Sequence, residues 1–294
     1  MPWPDAEFLV TTSLVRELLR RQHPEFAQLT LRRAGEGFDN VQFRLGADLV
    51  VRLPRRAIGA ELVVKEIEWL AEVTRDLPVT TPAPVVAGHP EDVYPWPWAI
   101  ERWIEGRAGD GVALATRAAN VDVIVEILRG LRRPAPSTAP RNPVRGCALV
   151  ARQQAFLEHL GALEGNRHEW LDRWAWARDA AAPNEETWLH GDLHPGNLIF
   201  RDGTLVGVVD FGDLGVGDPA TDLAGALMLV PFATTLEIVA QLQPEADELR
   251  RALGWGMLFA SVFLSLGSRR ASYARVGDLA RANVTQWMKQ IGGV

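Results

Sequence analysis

Two short apolar runs around an Asp-Gly pair constrain this 294-residue chain more than any other feature. The runs read LIF and LVGVV, and Asp202-Gly203 between them is a strong signal for a tight β-hairpin. Asn197 precedes the first run and Asp210 ends the second. Because a hairpin brings its two ends together, we expect Asn197 and Asp210 to be neighbours.

The polar residues at the ends of this hairpin suggest phosphate chemistry. Asparagine and aspartate oxygens suit Mg²⁺, so Asn197 and Asp210 are candidate metal ligands. Asp192 stands five residues before Asn197, which is the Asp-x4-Asn spacing of a kinase catalytic loop. In such a loop the aspartate orients and deprotonates a hydroxyl. Asp210 also opens the tripeptide Asp-Phe-Gly, the metal-binding tripeptide of kinases.

Some of the polar residues near the hairpin allow a second interpretation. His190, Asp192 and His194 form H-x-D-x-H, which resembles the metal triad of a hydrolase, but that reading leaves Asn197 and the Asp-Phe-Gly unexplained. Asp213 is either a metal or substrate contact or part of a solvated turn. The carboxylates predicted to hold the loop backbone through hydrogen bonds are Asp218 and Asp222.

The amino-terminal part of the chain predicts strands followed by a helix. Residues 29–54 alternate like a hairpin or meander, and Ala60–Val73 has a helical period. Four of the charges of that helix share one face, whereas Glu66 lies in the middle of the apolar face. Arg52 is equally out of place inside the apolar strand LVVRLP. The two charges predict one ion pair; the alternative is that either side chain reaches solvent.

Proline-rich sequence at 78–97 and the strand-like run WAIERWIEG place a domain boundary near Ile104–Gly109. We therefore predict one domain at residues 1–103 and a second, largely helical one at 104–294. The apolar stretch Gly254–Gly267 is too short to span a bilayer and predicts a buried helix.

Charge and cysteine content exclude some classes of protein. The chain has 31 Lys and Arg against 37 Asp and Glu, and its arginines occur in scattered pairs, so we expect no nucleic-acid partner. One cysteine allows no intrachain disulfide, and the first residues lack a secretory pattern. We expect a cytoplasmic protein without a membrane partner, whose oligomeric state the sequence leaves undecided.

Three segments carry a resemblance to a known family. His190–Phe200, Val208–Asp213 and Gly217–Ala224 resemble the signature segments of the aminoglycoside and macrolide phosphotransferases, relatives of the protein kinases. GEGFDN and VVRLPRR resemble the amino-terminal lobe of that family. The resemblance implies an α+β, bilobal, protein-kinase-like fold. Its small antiparallel-sheet lobe would be residues 1–103, and its larger, mainly helical lobe would be 104–294.

The resemblance also implies a role for each matching residue. Asp192 would be the catalytic base, with Asn197 and Asp210 as Mg²⁺ ligands. The implied nucleotide contacts are the phosphate loop at Gly35, Gly37 and Asn40, the braced pair Arg52 and Glu66, and the adenine-binding backbone near Arg102 and Ile104. Two features depart from the family: Arg52 stands where many kinases have lysine, and GEGFDN lacks the third glycine of G-x-G-x-x-G.

The implied reaction is Mg²⁺-dependent transfer of a phosphate from ATP or GTP to a hydroxyl of a small molecule. An aminoglycoside or macrolide antibiotic is the first candidate for the acceptor. The alternatives are a small amino-alcohol or sugar metabolite, or a nucleotide-binding module without catalysis. Trp170, Trp174 and Trp176 are predicted to be core residues, with a wall of the acceptor site as the alternative.

Overall fold

A computed structural model describes residues 5–291, and contacts divide the chain into two units. The first unit holds the chain up to Thr74, Thr80–Glu105 and Asp210–Gly212, and the second holds the remainder. One boundary between the units follows Glu105, and the short segment Asp210–Gly212 groups with the first unit although the residues on either side of it belong to the second.

The first unit is built on a five-stranded antiparallel sheet in the order β1-β2-β3-β5-β4. The short turn between β2 and β3 fixes their register, with Leu45 opposite Leu49. The strands are β1 (Leu31–Glu36), β2 (Asn40–Leu45), β3 (Leu49–Pro54), β4 (Pro84–Gly88) and β5 (Trp98–Arg102).

Two helices accompany this sheet. α1 (Thr12–Gln22) begins at the cap residue Thr11, whose hydroxyl accepts a hydrogen bond from the Leu14 N–H at 3.2 Å. Its apolar residues join the inward side chains of the strands and Trp98 in one core. α2 (Ala57–Val73) packs on β3 and β5 and covers the predicted helical segment with one further turn at its start.

The second unit is mainly helical. Its helices are α3 (Leu114–Ala118), α4 (Val121–Leu131), α5 (Gln153–His159), α6 (Arg167–Arg178), α7 (Ala220–Leu229), α8 (Phe232–Leu242), α9 (Ala246–Ser265) and α10 (Ala271–Ile291). Its strands are β6 (Arg107–Ala108), β7 (Thr187–Leu189), β8 (Leu198–Arg201), β9 (Thr204–Val208) and β10 (Gly215–Gly217), which form the sheets β6-β8-β9 and β10-β7.

Helix α9 packs against α6, α7 and α10, and two glycines allow this close approach. A Cβ on Gly256 would lie 2.4 Å from Leu227 of α7, and one on Gly254 would lie 3.0 Å from the Ala177 side chain of α6. The segment predicted to be a buried helix is therefore confirmed as one. Within residues 5–291, the structure contains no helix with the length and apolarity needed to cross a membrane.

The hairpin predicted at Asp202-Gly203 is confirmed. β8 and β9 pair with Arg201 opposite Thr204, so Asp202 and Gly203 form a two-residue turn. Their φ angles of 50° and 83° lie in the left-handed region that such turns require. The hairpin holds Asn197 and Val209 at its open end.

Candidate active site

Arg52 of β3 is the centre of a buried cluster of charges in the first unit. Its guanidinium forms an ion pair with Glu66 of α2, and both side chains are almost fully buried. The predicted pair is therefore confirmed. Glu101 of β5 approaches the same guanidinium at 3.8 Å, and Asp210 approaches its Nη2 at 3.3 Å.

Glu101 is a member of this charge cluster that the sequence analysis missed. It is 3% exposed, and its only signal in the sequence is a charge inside the apolar strand WAIER. Burial raises the pKa of Glu66 and of Glu101 above their usual values, although the Arg52 charge opposes the shift. Burial alone would lower the pKa of Arg52, but the three carboxylates outweigh it and raise the pKa.

Asp210 has a strained backbone and an open side chain. Its φ of 63° lies in the left-handed region, which non-glycine residues adopt rarely. The side chain is 61% exposed, and one of its oxygens contacts Arg52. In this backbone conformation, the largely exposed carboxylate of Asp210 lies beside the buried guanidinium of Arg52.

The loop between β1 and β2 carries the predicted phosphate-binding glycines. Gly37 donates its N–H to the Asn40 carbonyl at 2.8 Å, which closes the loop. A Cβ added to Gly35 would have no neighbour within 4 Å, so the space beside it is open. With its amide oxygen turned toward Arg52, Asn40 accepts from Nε and Nη2 at 3.3 and 3.1 Å.

Two arginines at the start of α2 hold this loop. Arg55 contacts the Glu36 carboxylate at 2.6 Å and donates to the Gly37 carbonyl at 3.3 Å. Arg56 donates to the Asp39 carboxylate at 2.9 Å. These three contacts tie the loop to the residues that precede α2. The loop is therefore held in place although it lacks the third glycine of G-x-G-x-x-G.

The predicted adenine-binding backbone follows β5. Arg102 is exposed and pairs with Leu49 at the end of the strand. The next residue, Trp103, donates its N–H to the Asp48 carbonyl at 2.8 Å. Ile104 is half-buried. The structure places this backbone at the end of the strand that carries Glu101.

In the second unit, Asp192 lies beside one arginine and one histidine. Arg145 Nη2 and His194 Nε2 approach its two carboxylate oxygens at 3.5 and 3.6 Å. Burial alone would raise the pKa of Asp192, but its electrostatic interactions with His194, Arg145 and His190 outweigh burial and lower the pKa. Asp192 is therefore an ionised carboxylate at neutral pH.

Hydrogen bonds from the loop backbone to Asp222 fix the segment before Asp192. The two Asp222 oxygens accept from the N–H groups of His190 and Gly191 at 2.7 and 2.9 Å, as predicted for a structural carboxylate. Gly191 has a φ of 83°, and a Cβ there would lie 2.5 Å from the Asp213 carbonyl. Only glycine fits this turn without strain.

The hydrolase-type triad is not supported. The Nδ1 atom of His190 accepts from the Asp192 N–H at 3.2 Å, and its Nε2 atom lies 3.1 Å from the Val209 carbonyl. Both ring nitrogens are therefore engaged with the backbone. Within residues 5–291, no group of three or more His, Cys, Asp or Glu residues is arranged to hold a metal ion.

Asn197 is held on both sides. Its amide nitrogen donates to the Asp192 carbonyl at 2.9 Å, and its own carbonyl accepts from the Val209 N–H at 2.9 Å. The first bond fixes the amide and leaves its oxygen as an acceptor. The second bond puts Asn197 opposite the residue that immediately precedes Asp210.

A segment without regular structure contributes Arg145, which the sequence analysis did not single out. Arg145 Nη2 lies 3.3 Å from the Asp213 carboxylate, and Asn142 donates to that carboxylate at 2.8 Å. Asp213 is thus paired within the unit rather than solvated. The other predicted structural carboxylate, Asp218, forms a buried ion pair with Arg251 at 2.6 Å.

The tryptophans of α6 contribute mostly to packing. Trp170 and Trp174 are buried, and Trp174 stacks on Phe156 with ring centroids 4.1 Å apart. Trp176 lies under the guanidinium of Arg250 at 4.6 Å. The core interpretation is confirmed for Trp170 and Trp174.

Solved structures of aminoglycoside and macrolide phosphotransferases share this fold. The GDP complex of wild-type aminoglycoside 2'-phosphotransferase-IIIa is 18% identical, with a TM-score of 0.64 over 94% of this chain and 99% of that one. The streptomycin–ATP ternary complex of APH(2")-IIa is 18% identical, with a TM-score of 0.59 over 92% and 95%. The macrolide 2'-phosphotransferase MphH from Brachybacterium faecium is 21% identical, with a TM-score of 0.56 over 90% and 97%.

The sequence itself establishes the family. The sequence pattern of the phosphotransferase enzyme family matches residues 30–255, which is more than half of the chain. The chain therefore belongs to the phosphotransferase enzyme family, and the predicted kinase-like α+β fold is confirmed. Among proteins with curated functions, none matches this sequence.

Proposed function

We propose that this chain transfers the γ-phosphate of ATP or GTP, bound with Mg²⁺, to a hydroxyl of a small molecule. The observation that carries the proposal is the ionised carboxylate of Asp192. The backbone of this residue is held in place, because its carbonyl accepts a hydrogen bond from the Asn197 side-chain amide at 2.9 Å. A carboxylate in this state can take the proton of an acceptor hydroxyl.

The chemistry of Asn197 and Asp210 fits Mg²⁺. The amide nitrogen of Asn197 is committed to a hydrogen bond, so its oxygen remains for a cation. Asp210 contributes a largely exposed carboxylate. Both are hard oxygen donors, and Mg²⁺ keeps its other positions for water and phosphate oxygens. When bound, the ion would neutralise charge on the transferring phosphate.

The first unit supplies the proposed nucleotide contacts. Arg52 is a fixed cation, since Glu66, Glu101 and Asp210 surround its guanidinium. The open space beside Gly35 suits the close approach of a phosphate to the backbone. The backbone near Arg102 and Ile104 would receive the base.

The proposed reaction is a single displacement at the γ-phosphorus of the nucleotide. Asp192 accepts the proton as the acceptor oxygen forms a bond to the γ-phosphorus. The bond from that phosphorus to the bridging oxygen breaks, and the nucleoside diphosphate leaves with that electron pair. Positioning and electrostatics supply most of the rate enhancement.

An aminoglycoside or macrolide antibiotic is the proposed acceptor. Solved structures of similar fold include aminoglycoside and macrolide phosphotransferases, among them a GDP complex and a streptomycin–ATP ternary complex. A small amino-alcohol or sugar metabolite is the second candidate, because the residues that carry the family likeness lie in the phosphate-handling segments.

The experiment is a transfer assay with product mass as the readout. The purified chain is incubated with Mg²⁺, ATP or GTP, and a panel of aminoglycosides, macrolides, amino alcohols and sugars. We expect one class of acceptor to gain about 80 Da, the mass of a phosphoryl group. If every compound keeps its mass and the nucleotide does not stabilise the protein against heat, the proposal is wrong.

A further inference from the structure

A cluster of three side chains joins β2 to the segment that follows β5. The guanidinium of Arg44, on β2, lies over the indole ring of Trp103, 4.3 Å from the ring centroid. Its Nη2 atom lies 3.3 Å from a carboxylate oxygen of Glu105, and the Trp103 indole N–H donates to the same oxygen at 2.9 Å. Each member of this Trp103 cluster therefore contacts the other two.

The guanidinium of Arg44 is held from two directions. Its side chain is 12% exposed, and its Nε and Nη1 atoms are buried without a hydrogen-bond partner among the described residues. The face of an aromatic ring attracts such a cation, and indole does so more strongly than the other aromatic side chains. Nη2 also donates to the Ala47 carbonyl in the turn after β2. The ring of Trp103 is therefore fastened to this turn through Arg44.

The backbone of the same segment is held at Trp103 and open at Ile104. The Trp103 N–H donates to the Asp48 carbonyl at 2.8 Å. Ile104 lies between Trp103 and Glu105, and its N–H and carbonyl form no backbone hydrogen bond with another described residue. One donor and one acceptor are thus open between two residues whose side chains are fixed. A base edge is recognised by a donor and an acceptor of this kind.

The Trp103 cluster shares a face of the sheet with Arg52. In the register of the sheet, Arg44 is opposite Val50, and Arg52 stands two residues after Val50 on the same strand. Directly opposed residues of an antiparallel sheet point to one face, and so do residues two apart on a strand. The guanidiniums of Arg44 and Arg52 therefore lie on the same side of the sheet, within one unit of the structure.

We propose that the Trp103 cluster positions the backbone of Arg102 and Ile104 against the base of the nucleotide. Arg44, Trp103 and Glu105 act through that backbone, so they are positioning residues. A segment that is already fixed loses less conformational entropy when the base binds, which raises the affinity. The inference rests on the proposed function only for the nucleotide as the ligand of this segment.

Binding of ATP and of tripolyphosphate, each with Mg²⁺, tests this role by calorimetric titration of the full chain. Tripolyphosphate presents a chain of three phosphates without a base. For Arg44→Gln and Trp103→Ala, we expect ATP affinity to fall about tenfold and tripolyphosphate affinity to match that of wild type. Arg250→Gln is the matched control, because it removes a guanidinium that lies 4.6 Å from the ring centroid of Trp176 in the other unit. Both affinities should be unchanged in this control.

Trp103→Phe keeps a ring under Arg44 and removes the indole N–H. Its ATP affinity should lie between those of wild type and Trp103→Ala. ATP affinity that is equal in wild type, Arg44→Gln and Trp103→Ala overturns the inference. An equal loss of ATP and tripolyphosphate affinity also overturns it, because general damage to the unit would produce that result. Both outcomes leave the proposed function intact, whereas a wild type that binds neither ligand overturns the proposed function and this inference together.

Discussion

Arg52 and Asp210 are 158 positions apart in the chain and meet at 3.3 Å within one structural unit. This contact ties the Asp-Phe-Gly segment to the strand that carries the buried cation. The hairpin that leads to Asp210 belongs to the other unit. The covalent step from Val209 to Asp210 therefore links the proposed nucleotide-binding residues to the unit that holds Asp192.

Removal of the buried cation should destabilise the protein strongly. Arg52→Met leaves Glu66 and Glu101 buried without their positive partner. We expect a loss of roughly 3–5 kcal/mol in the free energy of unfolding, measured by urea denaturation. The control Arg141→Met removes an exposed pair with Glu186 and should cost about 0.5 kcal/mol or less. Equal losses in the two variants would contradict the assigned role of the cluster.

The pH dependence of stability tests the state of Glu101. Burial raises its pKa above the ordinary value of 4.5, so the folded protein holds this proton more tightly than the unfolded chain. Its stabilising contribution is complete below that ordinary value and is lost as the pH rises through the folded pKa.

Glu101→Gln removes this titration and keeps the shape. The free energy of unfolding of wild type minus that of the variant should fall between about pH 5 and about pH 8. The control Glu61→Gln changes an exposed residue of α2. A difference that stays constant with pH for Glu101→Gln would refute the prediction.

Gly35→Ala separates nucleotide binding from folding. The added Cβ meets no atom of the chain within 4 Å, so the free energy of unfolding should match that of wild type. The methyl group would occupy the space proposed for a phosphate, and ATP affinity should fall about tenfold, or about 1.4 kcal/mol. Gly161→Ala, which also meets nothing within 4 Å, should leave ATP binding unchanged. Calorimetric titration measures both, and unchanged affinity in Gly35→Ala would exclude the assigned loop.

Asp222→Asn tests the support of the loop that leads to Asp192. The amide has one oxygen for the two N–H groups of His190 and Gly191, so one buried donor loses its acceptor. We expect a loss of roughly 1–3 kcal/mol in stability and faster hydrogen exchange of these two amides. Asp179→Asn, at an exposed position, is the control. Exchange as slow as in wild type would argue against this support.

Part of the site could be predicted because its signals are local. Glu66 stands on the apolar face of a regular helix, and Arg52 interrupts an apolar strand, so periodicity alone exposes both. Glu101 gives the same kind of signal in β5. The turn at Asp202-Gly203 was equally predictable, because its residue types suit the left-handed backbone that the hairpin requires.

The rest depends on contacts between distant parts of the chain. Arg145 lies in a proline-rich segment without periodicity, which is positioned by the bridge from Arg141 to Val216 and by the Asp218 N–H on the Gly146 carbonyl. Asp210 likewise groups with the first unit, where it contacts Arg52 at 3.3 Å. Sequence patterns do not encode such long-range partners.

The most direct test of the account is phosphate transfer by Asp192→Asn. With an acceptor that wild type modifies, the variant should form the phosphorylated product roughly 10²- to 10⁴-fold more slowly, because it lacks the base. Its thermal stabilisation by Mg²⁺ and nucleotide should be retained, and Asp172→Asn at an exposed position of α6 should react like wild type. Product formation by Asp192→Asn at the wild-type rate, followed by mass spectrometry, would contradict the central claim.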